Sequence, residues 1–183
     1  MQAFNIAALD EDMKVIETVR VQTSDSQSET SVEKLEGPKD RKIAALLINT
    51  GAHGYGKFCI DEMTLQALET KLHKIESSME RKLLLNMMYD LIKSGKMPAS
   101  RVLKIILNNF EHETAVDVLQ DTFRFVAPAI LSKFLHNEVN AERSAQMFDL
   151  TMKIMKSGRF NEFPAAMETL ITSAISFASN EEN

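Results

Sequence analysis

The sequence carries a single cysteine, Cys59, and no tryptophan among its 183 residues. A lone cysteine excludes an internal disulfide and fits a reducing compartment. Phe58 and Ile60 flank it in "YGKFCI", which reads as a strand, so a buried, inert thiol is expected there. Long apolar runs are missing too. The longest, "IAALLI", is far too short to cross a bilayer, so no membrane insertion is expected. The opening "MQAFNIAALDED" is acidic and lacks the basic region and apolar stretch of a secretory signal. These absences describe a soluble intracellular chain, cytoplasmic in location.

Positive charge is in deficit. The net charge is −5, and no stripe of Lys and Arg gathers on one segment, which argues against nucleic acid as a partner. The acidic surplus lies mostly in residues 1–41, with nine acids and five bases; residues 42–183 have seventeen and sixteen. This surplus reads as solvated surface. What remains is a globular composition, 44% hydrophobic and 26% charged, sufficient for one ordinary domain or two small ones.

Metal-ligand spacing is also lacking. "NNFEHETAVDVLQ" (108–120) opens with His112-Glu113, as a zinc-peptidase helix does, but such a helix needs a second histidine four residues on. Val116 stands there. His53, His73 and His136 have no partner at a ligand spacing, so no metal residue is assigned. "NTGAHGYG" lacks the Lys-Ser/Thr ending of a phosphate loop and reads as a hairpin turn between "KIAALLIN" and "YGKFCI". No nucleophile elbow occurs. The eleven methionines, at helical spacing, read as core. No catalytic residue is assigned.

The hydrophobic period changes near residue 61. Before it, Phe4, Ile6 and Ala8 alternate, Val15, Val19 and Val21 share a face, and the polar "SDSQSETS" makes a turn or loop. After it, the pattern is helical. Asp61 caps a helix bearing Leu65, Leu68, Leu72 and Ile75. Ser77 and Glu80 form a capping box for a helix with Leu84, Met88 and Leu91, stopped at "KSGK". Pro98 starts another, with Val102, Ile105, Ile106 and Phe110. "FEHET" is the next corner. Thr114 with Asp117 gives its capping signal, and Glu113 complements the helix dipole. Pro128 kinks or splits the helix that follows. Two further helices carry Phe148, Met152 and Met155, then Met167, Leu170, Ala174 and Ile175. "LIKSGKMPAS" (91–100) and "IMKSGRFNEF" (154–163) share a helix stop, a faint echo that suggests a stacked array. The expected fold class is α+β: a partial antiparallel β-sandwich over 1–61, then a HEAT/armadillo-like helical array over 62–183.

One long segment carries a family likeness. "AALLINTGAHGYGKFCIDEMTLQALETKLHKI" resembles the end of the β-sandwich domain in zinc aminopeptidases of the alanyl and puromycin-sensitive type. The features are an apolar strand ending in Asn49, then Gly54-Tyr55, Lys57-Phe58 and Asp61. "SSMERKLLLNMMYDLIKSGKMPASRVLKIILNNFEHETAVDVLQDTFR" resembles the start of the helical domain found in the endoplasmic reticulum aminopeptidases. It has the same order of helices and corners, including Glu113-Thr114. The resemblance implies a sandwich that braces a catalytic domain and a helical domain that curves over the active site. It implies zinc only in a full-length parent. The H-E-x-x-H helix, its distal Glu, the catalytic Tyr and the Gly-x-Met-Glu-Asn motif do not occur here, so no catalytic or zinc residue carries over. Asn49, Gly54, Tyr55, Lys57, Asp61, Glu113 and Thr114 carry over as structural positions, with Tyr55 and Lys57 expected to hold the hairpin against the first helix.

Both domains look incomplete beside the family. An incomplete sandwich and a short array each leave an apolar face of about a few hundred Å², enough to favour association. The first expectation is a non-catalytic accessory segment whose partner is the missing catalytic region or another protein chain. The second is a degenerate relative that serves as an interaction or scaffold subunit. The third is an unrelated helical binding module.

Overall fold

The structure, a computed structural model, describes residues 2–24, 30, 32, 35, 37 and 41–178. The turn expected over "SDSQSETS" lies outside the described residues apart from Ser24 and Thr30, as do residues 179–183.

Three strands come first: β1 (Gln2–Leu9), β2 (Val15–Thr23) and β3 (Ala45–Thr50). They form an antiparallel sheet of order β2-β1-β3, with Ile6 opposite Val19 on one side and Ile48 on the other. The apolar alternation expected of β1 is not seen in its burial: Ala3, Phe4 and Asn5 are all half-buried. Ile6, Ala7, Ala8 and Leu9 are all buried, so the end of this central strand is covered on both faces. In β2 the expected valine face fades along the strand: Val21 is buried, Val19 half-buried and Val15 58% exposed. The β1–β2 turn is tied by Asp10, whose carboxylate accepts from the amides of Asp12 and Lys14, both at 3.0 Å.

The hairpin expected at "NTGAHGYG" does not form. Residues 55–60 contain no strand, and β3 pairs with β1 instead. The β1–β3 register shifts between Asn5 and Ile6, and Asn49, at φ +64°, supplies the extra residue on the β3 side. The chain is redirected there, and Phe58 packs edge-on against Phe4 with ring centroids 5.2 Å apart. Single side-chain contacts of Phe58 and Ile60, rather than a ladder, explain the apolar alternation around Cys59. Cys59 is accordingly exposed, not the buried strand thiol expected.

Helices follow: α1 (Glu62–Lys71), α2 (Ser78–Lys93), α3 (Ala99–Asn109), α4 (Val116–Asp121), α5 (Ala127–Phe134), α6 (Asn137–Lys156) and α7 (Pro164–Ala178). The fold is α+β, and the strands of the described residues make one sheet. Two compact units divide the chain, Met1–Met88 and Tyr89–Asn183. The change from strand to helix at Asp61 and the division into units therefore do not coincide. Among the described residues no helix is long and apolar enough to cross a membrane.

Within the second unit the core is largely aromatic and aliphatic. Phe123 lies between Phe110 and Phe177, with centroids 6.0 and 6.3 Å away, and Leu103, Ile106 and Ile130 are fully buried. Helix stops come from left-handed glycines. Gly95 (φ +68°) donates to Ile92 O and Lys96 to Leu91 O, which is the Schellman pattern at the end of α2. Gly158 (φ +72°) ends α6 and donates to Met155 O. The "KSG" echo is thus a shared way of stopping a helix. Pro128 has no amide to offer, and the chain just before it takes a π-helical turn, Thr122–Val126, that separates α4 from α5.

Two expected faces are rotated. In α6 the buried residues are Ser144, Met147, Leu150, Thr151 and Ile154, while Phe148, Met152 and Met155 are half-buried. Thr151 enters the core because its hydroxyl donates to Met147 O at 2.7 Å, which a reading by hydrophobicity alone overlooks. In α7, Ala166, Leu170, Ala174 and Phe177 are buried and Ile175 is exposed.

Candidate functional site

The residues singled out by sequence fall into two places, one in each unit. In the first unit they surround the passage from β3 into α1. Asn49 sits at the bulge, 3% exposed, and its side chain bonds Gly54 twice. Its Oδ1 accepts from Gly54 N at 2.7 Å, and its Nδ2 donates to Gly54 O at 3.0 Å. Asparagine tolerates a left-handed backbone better than other non-glycine residues. Gly54 must remain glycine for a different reason, since a Cβ there would lie 2.9 Å from Phe4 Cβ and 3.0 Å from Asn49 Oδ1. Together they close a short, rigid loop.

Asp61 caps α1 as its sequence position implies, accepting from Thr64 N at 2.9 Å and Thr64 Oγ1 at 2.6 Å. Thr64 in turn accepts from Leu46 N at 2.8 Å, so the helix start is tied to the strand. Tyr55 and Lys57 are not part of this joint. Tyr55 is 90% exposed and Lys57 is exposed as well, so neither holds a hairpin against the first helix; that hairpin is absent.

Glu80 is the joint residue that sequence reasoning placed wrongly. Its amide does approach Ser77 Oγ at 3.3 Å, half of the capping box. Its carboxylate instead reaches back to the β3 turn, accepting from Thr50 Oγ1 at 2.5 Å and Gly51 N at 2.8 Å. The other oxygen, Oε2, is buried without a hydrogen-bond partner. A Ser-x-x-Glu spacing foretells a helix start, and it says nothing of a competing donor pair brought near by the fold.

In the second unit, Glu113 and Thr114 form the corner before α4. Glu113 is buried, and its Oε1 accepts from Thr114 N at 2.9 Å and Ala115 N at 2.8 Å. The N-cap position is Ala115, so Thr114 is not the cap that Thr114–Asp117 suggested. The Glu113 carboxylate ties the amides of Thr114 and Ala115, just before Val116, and the N-cap Ala115 has no side chain to bond the first turn. His112 ends the short 3₁₀ turn Phe110–His112. Among the described residues no three His, Cys, Asp or Glu side chains gather as a metal-holding group. Chemically, the bonds at these two places shape and tie backbone.

A family model, the ERAP1-like C-terminal domain, matches residues 45–182. The match opens at the first residue of β3 and takes in every helix from α1 to α7. No curated protein matches the chain, and no solved structure does. The family match covers well over half of the sequence and contains Asn49, Gly54, Tyr55, Lys57, Asp61, Glu113 and Thr114; the chain belongs to the ERAP1-like C-terminal domain family.

Proposed function

We propose that this chain is a non-catalytic accessory part of an aminopeptidase-like protein of the zinc, alanyl-aminopeptidase type. Support comes from the family match over 45–182 together with a sequence in which neither H-E-x-x-H nor Gly-x-Met-Glu-Asn occurs. On this reading zinc and bond cleavage belong to a catalytic region that is the chain's partner. The chain braces that region with the end of a β-sandwich and restricts access to it with a helical array. Asn49, Gly54 and Asp61 shape the strand-to-helix passage, and Glu113 shapes a helical corner. The setting is the cytoplasm, without nucleic acid or membrane insertion.

The test is direct. The purified chain is dialysed, its zinc content measured, and its hydrolysis of aminoacyl-coumarin substrates followed. The expected result is far less than one zinc per chain and no hydrolysis above blank. Stoichiometric zinc, or chelator-sensitive hydrolysis that persists through repurification, overturns the reading.

A second reading, an interaction or scaffold subunit of a larger assembly, is favoured by the outer face of α7. Ile171 and Ile175 are 47% and 64% exposed there. The gene separates the two readings. A reading frame that continues upstream into H-E-x-x-H supports the accessory part, and a stop codon before Met1 supports the scaffold.

A further inference from the structure

Beside the first residues of β1 lies a cavity of about 390 Å³. Its lining is Ala3, Phe4 and Asn5 of β1, Arg20 of β2, and His53 of the loop between β3 and α1. Arg20 stands directly opposite Asn5 in the antiparallel register, so both side chains rise from one face of the sheet, with Cβ atoms about 5 Å apart. On the other side of β1, Thr50 ends β3 opposite Asn5, and His53 follows three residues later. Three segments thus bring an amide, a guanidinium and an imidazole to one space.

All three polar side chains are open to solvent and uncommitted. Arg20 and His53 are exposed and Asn5 is half-buried, and among the described residues none of their side chains makes a hydrogen bond or an ion pair. No carboxylate lines the cavity, in a chain whose net charge is −5. Elsewhere in this unit the cations Arg41 and Lys74 are taken by Asp10 and Asp12, at 3.3 and 3.5 Å. The loop that carries His53 is also held in an unusual shape. Asn49, Gly51 and Ala52 are all left-handed, at φ +64°, +77° and +54°, and an alanine keeps that conformation only where its surroundings impose it. The imidazole lies over Gly51, where a Cβ would come within 2.9 Å of Nε2.

We propose that this cavity binds a small organic carboxylate. Arg20 forks onto the carboxylate, the Asn5 amide and a His53 ring N–H donate to it, and the apolar body of the ligand rests on Ala3 and Phe4. The chemistry follows from the lining. Donors without a counter-charge call for an anion, and the planar guanidinium matches a carboxylate with two parallel, charge-assisted hydrogen bonds. One carboxylate balances the one guanidinium. The volume falls in the low part of the range for small-molecule sites, about 300–1,000 Å³. The site lies wholly within Met1–Met88, and four of its five lining residues precede the family match, so it does not depend on the aminopeptidase reading above.

The experiment titrates 3-methylbutanoate into the isotopically labelled full chain at constant ionic strength and follows backbone amides by NMR. Saturable shifts are expected at Phe4, Asn5, Arg20 and His53. The neutral, isosteric 3-methylbutanamide is expected to bind about tenfold more weakly or worse. Arg20→Gln is expected to weaken the carboxylate to a similar extent, Arg20→Lys to recover only part of the loss, and His53→Gln to weaken it severalfold. Lys57→Gln removes an exposed cation outside the cavity and is expected to leave the affinity unchanged. The proposal is overturned by an absence of saturable shifts, by shifts that map elsewhere, or by equal binding of the acid and the amide. Equal losses in Lys57→Gln and Arg20→Gln overturn it too, since they would mean diffuse attraction rather than a site. Tighter binding of inorganic phosphate than of the carboxylate would overturn the ligand class.

Discussion

The two compact units hold themselves together by different means. In Met1–Met88 the decisive contacts are polar side chains that reach across sequence to backbone: Asn49 to Gly54, Thr64 to Leu46, Glu80 to Gly51. In Tyr89–Asn183 the decisive contacts are apolar, centred on Phe123 and its ring neighbours. Glycine stops and the Glu113 carboxylate set the helix ends. The first unit also buries an apolar core, with Leu9, Leu47, Leu68, Leu72 and Met88 fully buried, and the polar bonds fix the passage from β3 into α1 within it. A bundle of helices buries enough to tolerate a missing bond. Polar substitutions are therefore expected to act on the β3–α1 passage of the first unit, and loss of the Phe123 ring on the core of the second.

The comparison is broken most severely from the helical side. Phe123→Ala removes a fully buried ring and is expected to cost about 3–5 kcal/mol, read as a lowered urea midpoint. Amide exchange should rise first in the helices of the second unit. On the sheet side, Asn49→Ala loses both bonds to Gly54 and places alanine at a positive φ, for an expected cost of about 2–4 kcal/mol. Asn49→Gly keeps the backbone freedom and separates the two contributions. A loss below about 0.5 kcal/mol for Asn49→Ala would show that polar clamps do not govern the first unit.

Glu113→Ala is smaller, about 1–2 kcal/mol, since it frees two amides at the entry to α4 without opening a cavity. Fraying of α4 by amide exchange is the readout, and Glu113→Gln should restore most of the protection. The smallest effect is a dependence on pH. The Lys14 backbone amide, then the Asp12 amide and the Arg41 charge, hold the Asp10 carboxyl below its ordinary value, against a partly opposing desolvation. A lowered pKa stabilises the fold above the ordinary carboxylate value of about 3.9, and that share is lost as pH falls through the lowered value. Below about pH 4 the urea midpoint of the native chain should fall more steeply than that of Asp10→Asn; parallel profiles would remove Asp10 from the account.

Local chemistry was the legible part of the sequence. Asp61 caps α1 because its side chain needs only the next turn, and Pro128 interrupts a helix because of an amide it lacks. The glycines of the two "KSG" stops adopt the backbone only glycine reaches freely. What misled were residues with more than one possible partner. Phe58, Cys59 and Ile60 alternate like a strand, yet the bulge at Asn49 sends them away from the ladder. Glu80 satisfies a capping spacing and is taken by the β3 turn. Thr114 satisfies another, yet the N-cap position falls on Ala115. The Glu80 outcome depends on donors delivered from Thr50 and Gly51 by tertiary structure, which no local pattern contains, whereas the Glu113 bonds are local and a capping reading of Thr114 overlooks them. The resemblance of the helical segment stood on firmer ground, matched by the ERAP1-like C-terminal domain over 45–182, because it rests on the order of many corners at once.

The central claim, that this chain is the accessory part of an aminopeptidase-like protein, is tested most directly by native mass spectrometry with peptide identification of the particle it occupies in its source cells. The account predicts that the particle contains H-E-x-x-H peptides, on the same polypeptide or on a stoichiometric companion. A discrete short chain among subunits that carry no such motif would contradict it.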